Sequence, residues 1–136
     1  MFKFSGPVLH SKSWLNRAFI IQSYSDGLSF DAISDAEDVL ELKRAMSLIG
    51  KSKNFNIGQG GTSFRFFSFL LSRQVGDFVV DLHPQLAKRP QNDIIVILEQ
   101  LGVKSYFREN QFYISSKGWI VPDVLSASGE ISSQFI

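Results

Sequence analysis

The strongest constraint on the fold of this 136-residue chain is an approximate internal repeat, in which two stretches follow the same order of patterns. Each stretch begins with a helical pattern, continues through a glycine turn and an alternating strand pattern, and then gives a second helix and a second strand. Ser13 and Gly27 in the first stretch correspond to Thr62 and Gly76 in the second, and the two members of each pair are separated by the same number of residues. Chance similarity of two amphipathic units is the alternative, but the aligned turn glycines favour a true repeat.

The patterns also predict individual elements, and together they indicate an α+β protein. The hydroxyl of Ser11 or Ser13 can cap the first helix, and glycines at positions 50 and 102 end the second and fourth helices. Pro90 suits the first turn of the fourth helix. Helices are predicted over 11–22, 35–49, 62–71 and 90–101, and strands over 28–33, 54–57, 78–82, 105–107 and 111–114.

The repeat divides the chain into units. The first unit spans 11–57 and the second 58–127, and residues 128–136 resemble the start of a third because they again place serines at a helix start. The sequence stops at Ile136, before the body of that helix. We therefore expect one partial lobe over 1–136, either truncated or completed by another polypeptide, whose exposed apolar surface favours self-association.

Composition excludes several classes of function. The chain has no cysteine, so disulfides, thiol nucleophiles and cysteine-type zinc sites are excluded, and His10 and His83 lack metal-ligand spacing. The net charge of +1 shows no bias toward nucleic acid, and no apolar run approaches the roughly 18 residues of a membrane helix. We expect no metal site and no binding to nucleic acid or membranes, and the lack of cysteine is compatible with a reducing cytoplasm, where we expect the protein to act.

The starts of the predicted helices combine features that bind anions. A helix N-terminus presents unpaired N–H groups and the positive end of the helix dipole. Lys12 and Arg17 add positive charge to the first start, and Arg17 shares a helix face with Ser13. The second start adds a glycine-rich turn over 58–62 and Arg65, while Arg89 precedes Pro90 at a junction between a loop and a helix.

Each of these features alone has a plainer explanation. Ser-Lys-Ser is more often an ordinary cap, and isolated arginines are commonly solvated. The glycine-rich turn lacks the Gly-Lys-Ser/Thr ending of a P-loop and the third glycine of the dinucleotide motif. Asp35, Glu37 and Asp38 suit a helix dipole better than a catalytic pair. The recurrence of one kind of site at equivalent repeat positions is what favours anion binding.

Four motifs in order resemble those of EPSP synthases, the 3-phosphoshikimate 1-carboxyvinyltransferases. Residues 11–18 resemble the opening motif Ser-Lys-Ser-x-x-Asn-Arg-Ala, and residues 60–65 resemble Ala-Gly-Thr-x-x-Arg. Residues 88–90 resemble an Arg-Pro motif, and residues 128–135 are similar to Gly-Ser-x-Ser-Ser-Gln-Phe/Tyr. Together they cover nearly the whole chain. The resemblance implies the N-terminal part of a family whose two lobes each contain three βαβαββ units, here two units and the start of a third.

The resemblance also implies a reaction and its site. The family transfers the enolpyruvyl group of phosphoenolpyruvate to the 5-hydroxyl of shikimate 3-phosphate on the way to chorismate and aromatic amino acids, without a cofactor. The residues implied to bind shikimate 3-phosphate are Lys12, Ser13, Arg17, Ser132, Ser133 and Gln134. Those implied to bind phosphoenolpyruvate are Lys12, Gly61, Thr62 and Arg89. The acid–base residues of the family match no position here, so the chain alone is expected to be inactive.

Three departures from the family pattern occur near these motifs. His10 replaces the glycine before Ser-Lys-Ser, Gln59 replaces an asparagine, and Phe66 replaces a proline. Two alternatives also stay open. One is an enzyme similar to UDP-N-acetylglucosamine carboxyvinyltransferase, whose opening motif has Lys-Asn where this chain has Lys12-Ser13. The other is a degenerate relative that only binds a phosphorylated metabolite or is completed by a partner chain.

Overall fold

A computed structural model describes residues 11–25, 27–30 and 34–127. Its elements are five helices and four strands. The helices are α1 (Lys12–Gln22), α2 (Glu37–Ser47), α3 (Gly61–Ser72), α4 (Pro84–Ala87) and α5 (Asn92–Gln100), and the strands are β1 (Asn54–Asn56), β2 (Gly76–Asp81), β3 (Lys104–Arg108) and β4 (Gln111–Ser116). None of the helices in these three ranges combines the length and apolar character needed to span a bilayer.

The four strands form one mixed sheet in the order β1-β2-β4-β3. β1 and β2 are parallel, with Phe55 opposite Val80, and α3 lies between them in sequence as the connection that a parallel pair requires. β2 and β4 are antiparallel, as are β3 and β4, which form a hairpin. The α+β class predicted from the sequence is confirmed.

Alternation along the strands determines which face of the sheet carries the core. Phe78 and Val80 of β2 are buried together with Phe112 and Ile114 of β4, whereas the residues between them are more exposed. Helices α3 and α5 supply the other side of this core, and the ring of Phe64 on α3 meets Phe112 edge-on at 5.4 Å. Because α3 is fixed against the sheet, its N-terminus has a defined position.

A second cluster attaches α1 to α2. Leu15 and Phe19 of α1 pack with Val39 of α2, and all three side chains are buried. A buried hydrogen bond, 3.0 Å from Asn16 Nδ2 to Ser63 Oγ, joins α1 to α3. These contacts bring the N-terminal ends of α1, α2 and α3 to one side of the molecule.

Several local predictions need correction. Ser11 occupies the N-cap position of α1 but forms no side-chain capping bond, and Ser13 lies inside the helix. The last predicted helix begins at Asn92, not Pro90, and the sequence patterns missed α4, in which Pro84 occupies the first turn. Positions 28–30 form no strand, and 31–33 lie outside the described residues. The division into repeat units stays a prediction, and the start of the third unit, 128–136, also lies outside them.

Candidate functional site

A cavity of about 680 Å³ opens between the N-terminal ends of α1, α2 and α3. Four separate parts of the sequence contribute to it: the start of α1, the start of α2, the loop before α3 with the first turns of α3, and the loop after α4. The lining residues are Lys12, Ser13, Asn16, Ala36, Glu37, Asp38, Gln59, Gly60, Gly61, Thr62, Arg65 and Arg89. It therefore collects the starts of three helices, where unpaired backbone N–H groups are concentrated.

Lys12 crosses from α1 toward α2 at the edge of the cavity. Its Nζ lies 3.6 Å from Oδ2 of Asp38, and its side chain is 67% exposed while that of Asp38 is 17% exposed. An ion pair that is this open to water contributes less than about 1 kcal/mol to stability. The ammonium group can therefore leave Asp38 for a bound anion at little cost.

A buried polar network lies behind Lys12. Asn16 is 1% exposed, and Ser63, which accepts its hydrogen bond, donates its own proton to the backbone oxygen of Asp38 at 3.2 Å. Because the single proton of Ser63 is used there, Asn16 must donate through Nδ2, which orients its amide. Its Oδ1 is then an acceptor, and it is buried without a hydrogen-bond partner among the described residues.

The start of α3 forms the floor of the cavity. Gly60 is the N-cap and offers no side-chain cap, so the first N–H groups of α3 have no capping side chain at this residue. A Cβ on Gly60 would lie 2.8 Å from Ser63 Oγ and 2.9 Å from Asp38 Cβ. A Cβ on Gly61 would make only ordinary contacts, at 3.5 Å from Arg65 Nη1 and 3.8 Å from Arg89 Nη1. The two glycines thus have different roles: close packing at position 60 and open space between two guanidinium groups at position 61.

Arg65 and Arg89 make this end of the cavity positive. Burial lowers the pKa of Arg65, the carboxylate of Asp93 raises it, and the charge of Arg89 lowers it. The two guanidinium groups supply positive charge and planar hydrogen-bond donors at this end of the cavity. With Lys12 they place three cations around the cavity, opposed by Glu37 and Asp38.

The structure brings together five of the residues predicted from the sequence. Lys12, Ser13, Gly61, Thr62 and Arg89 all line the cavity. These five residues therefore lie around one cavity, and their assignment to particular ligands stays a prediction. Three further predicted residues, Ser132, Ser133 and Gln134, lie outside the described residues.

Arg17 takes a different position from the other predicted residues. It shares a helix face with Ser13, as the spacing predicted, and its Nη1 donates to the backbone oxygen of Ser13 at 2.9 Å and to Ser13 Oγ. Its guanidinium also lies 5.4 Å from the centre of the Phe66 ring. Arg17 is exposed and is not among the residues that line the cavity, so it reaches the site only through Ser13.

Sequence reasoning missed several lining residues. Asn16 lies within the opening motif, and its place on the buried side of α1, next to Leu15, was an available signal. Asp38 was interpreted as a helix-dipole residue, and only the packing of α2 against α1 reveals its contact with Lys12. Arg65 was noted as a positive charge but given no ligand, and Glu37 and Gln59 had no assigned role in binding.

The donor set suits oxyanions rather than metals. Within the described ranges, no group of three or more histidine, cysteine, aspartate or glutamate side chains is placed to hold a metal ion. The cavity instead offers guanidinium, ammonium, hydroxyl and helix N–H donors, which bind phosphate and carboxylate groups. It can therefore bind and orient a small phosphorylated molecule.

Comparison with known proteins gives a consistent relationship. No family model matches the chain. It is 23% identical to a 3-phosphoshikimate 1-carboxyvinyltransferase of Pseudoalteromonas atlantica, 26% identical to one of Shewanella pealeana and 25% identical to one of Pseudomonas savastanoi. Each similarity covers 93% of this chain and 36% of the relative. Over nearly its whole length, the chain is thus a distant homologue of 3-phosphoshikimate 1-carboxyvinyltransferases, and it spans about a third of the length of these relatives.

Proposed function

We propose that this chain is the N-terminal part of a 3-phosphoshikimate 1-carboxyvinyltransferase and that its cavity binds shikimate 3-phosphate and phosphoenolpyruvate. The observation that carries the proposal is the convergence of Lys12 and Ser13 on α1 with Gly61 and Thr62 on α3 and with Arg89. These residues come from distant parts of the sequence and belong to three of the four family-like motifs. In this proposal the protein acts in the cytoplasm, in the biosynthesis of aromatic amino acids.

The two ligands occupy opposite sides of the cavity. In this proposal Ser13 binds the phosphate of shikimate 3-phosphate together with Ser132, Ser133 and Gln134, and Arg17, which lies outside the cavity lining, acts on the same phosphate by orienting Ser13. Gly61, Thr62 and Arg89 bind phosphoenolpyruvate at the start of α3, where the helix dipole and a guanidinium act on the same anion. Lys12 lies between them and contacts both.

When a ligand binds, the ammonium group of Lys12 leaves the carboxylate of Asp38 and contacts the ligand phosphate instead. Its ammonium lies 3.6 Å from Oδ2 of Asp38, and a bound phosphate offers a doubly charged alternative. Since the pair with Asp38 is largely exposed, the ligand displaces it readily. The same ammonium would then stabilise negative charge that develops during enolpyruvyl transfer.

Binding without turnover is the expected behaviour of the chain alone. The family's acid–base residues match no position in this sequence, and the cavity carboxylates Glu37 and Asp38 lie on the first turn of α2. We therefore expect mixtures of both substrates to release no phosphate, whereas each substrate binds.

Titration calorimetry with shikimate 3-phosphate tests the proposal. The Lys12→Met variant should bind at least about tenfold more weakly, since a hydrogen bond to a charged group contributes about 1.5–3 kcal/mol. Lys117→Met is the matched control, because Lys117 is also exposed but does not line the cavity. Circular dichroism verifies that both variants are folded. Equal affinity of the two variants, or no binding by the unmodified chain, would contradict the proposed function.

A further inference from the structure

One face of the sheet lies away from the apolar core. Residues alternate along each strand, so the neighbours of the buried Phe78, Phe112 and Ile114 point to the side opposite α3 and α5. We call this side, formed by the outward residues of β2, β4 and β3, the outer sheet face. Its central row holds the rings of Tyr113 and Tyr106, which stack with their centroids 4.8 Å apart, and Tyr106 is 55% exposed. The outer sheet face is thus open to solvent in the described part of the chain.

Side chains of opposite charge border the outer sheet face on two strands. Asp77 and Asp81 point outward from β2. Lys104 and Arg108 point outward from β3, which lies on the far side of β4. The register places Asp77 in the same row as Lys104, since both are aligned with Ser115 of β4. Asp81 and Arg108 form a second row in the same way, so each row has a carboxylate at one end and a cation at the other.

The two charges of a row do not pair with each other within one molecule. β2 and β3 each lie about 4.8 Å from β4, so the two ends of a row are about 10 Å apart. None of these four charged side chains forms an ion pair with another described residue. They are therefore available to charges of opposite sign on a second molecule.

This charge pattern is complementary to itself in one arrangement of two copies. Two sheets pack face to face at a separation of about 10 Å, and a two-fold axis between aligned strands runs either along them or across them. An axis along β4 places β2 of each copy over β3 of the other, so that Asp77 faces Lys104 and Asp81 faces Arg108 of the second copy. An axis across the strands places β2 over β2, so that Asp77 faces Asp81 and the like charges repel each other.

We infer that the outer sheet face is a self-association surface, on which two copies of this chain pack about a two-fold axis that runs along β4. The tyrosine rings then lie at the centre of the interface, and the four contacts between carboxylates and cations lie at its rim. Charges at a rim select the partner and its orientation more than they add affinity. The inference is independent of the proposed function, because no residue of the outer sheet face that carries it lines the cavity.

The size of the face predicts a weak dimer. Three strands about 4.8 Å apart, each about five residues long at about 3.4 Å per residue, project to about 250 Å² per copy. Each partner in a stable interface buries roughly 800 Å². We therefore expect a dissociation constant on the order of 100 μM. Raising the salt concentration from about 0.1 M to about 1 M shortens the screening length from about 10 Å to about 3 Å, so it should weaken association about tenfold.

Charge-swapped variants test the surface by sedimentation equilibrium at protein concentrations on either side of that dissociation constant. Asp77→Lys with Asp81→Lys makes the face wholly basic, and Lys104→Glu with Arg108→Glu makes it wholly acidic. Each variant alone should be monomeric, whereas an equimolar mixture should form heterodimers at least as readily as the parent chain forms dimers. Restored association in the mixture would also show that both variants are folded.

Two controls separate this surface from other causes of association. All chains carry Val121→Ser and Val124→Ser, which remove exposed apolar surface without changing the net charge. Glu99→Lys with Asp123→Lys adds the same charge as the basic variant at exposed positions outside the outer sheet face, and this control should still dimerise on its own.

A cross-link tests the direction of the two-fold axis. The chain has no cysteine, so Ser115→Cys supplies a single thiol on exposed β4, where an axis along β4 brings position 115 next to its own counterpart. A short bis-maleimide should join two such chains, and Asn92→Cys, at the start of α5 on the other side of the sheet, should not be joined. Equal cross-linking of the two variants, a parent chain that is monomeric at all concentrations, or a mixture of charge-swapped variants that stays monomeric would overturn the inference.

Discussion

The adjacent glycines at the start of α3 should respond in opposite ways to the same substitution. In Gly60→Ala the new methyl group would lie 2.8 Å from Ser63 Oγ and 2.9 Å from Asp38 Cβ. Both distances are shorter than real Cβ contacts, so a neighbour must move. Gly60 has φ −73° and ψ 106°, which any residue adopts, so the expected cost is purely steric.

The destabilisation caused by Gly60→Ala depends on which neighbouring atoms must move. Ser63 is fully buried and bonded to Asn16, and Asp38 Cβ is attached directly to the backbone of α2. Overpacking of this kind costs about 1–3 kcal/mol, and breaking the Asn16–Ser63 bond leaves buried polar atoms unpaired at a similar cost. We expect Gly60→Ala to lower the free energy of unfolding by about 2–4 kcal/mol, a large share of the roughly 5–15 kcal/mol of a typical domain.

Urea unfolding monitored by circular dichroism measures this difference. With a slope of about 2 kcal/mol per molar urea, the Gly60→Ala midpoint should fall by about 1–2 M. Gly61→Ala is the matched control, because its methyl contacts lie at 3.5–3.8 Å. Its free energy of unfolding should stay within about 0.5 kcal/mol of that of the unmodified chain or rise slightly. Equal midpoints for the two variants would refute the proposed packing of α2 against α3.

Three further predictions concern other contacts. Asn16→Ala should lower the free energy of unfolding by about 1–3 kcal/mol in urea titrations, because it removes the buried bond between α1 and α3, and an unchanged midpoint would contradict that role. Gln100→Ala removes both hydrogen bonds to the Ser126 backbone, so hydrogen exchange at Ser126 N should accelerate at least tenfold. An exchange rate equal to that of the unmodified chain would show that these bonds do not hold the backbone around Ser126 in place. Val121 and Val124 are each 76% exposed, so light scattering should show self-association that increases with protein concentration. Changing both residues to lysine should reduce this association. A monomer at all concentrations of the unmodified chain would contradict the prediction.

The sequence patterns predicted most helices and strands because the interactions that form these elements act between residues that are close in the sequence. Residues at helical spacing on α2, such as Val39, Leu42 and Ala45, are the ones that become buried. Gly50 and Gly102 follow α2 and α5 with φ of +80° and +75°, the left-handed conformation in which glycine ends a helix. The missed helix α4 has only four residues, too few for a periodic pattern.

The cavity was predictable in its chemistry but not in its shape. Hydroxyl, glycine and basic residues recur at the predicted helix starts, and the resemblance to the family motifs implies that Lys12, Ser13, Gly61, Thr62 and Arg89 bind the anionic substrates. No sequence pattern could show that the Arg17 side chain bonds Ser13 and packs against the Phe66 ring instead of lining the cavity. The position of the Arg17 side chain depends on where Phe66 lies, and the packing of α3 against the sheet determines the position of Phe66.

The sequence by itself determined the α+β class, most helix and strand positions and the concentration of anion-binding groups at helix starts, because periodicity, turn glycines and helix ends act within a few residues. Only the tertiary structure decided the strand order β1-β2-β4-β3, the ion pair of Lys12 with Asp38 and the meeting of Arg65 with Arg89 above Gly61. These features join residues far apart in sequence, and their geometry is set by which apolar faces pack together in the core.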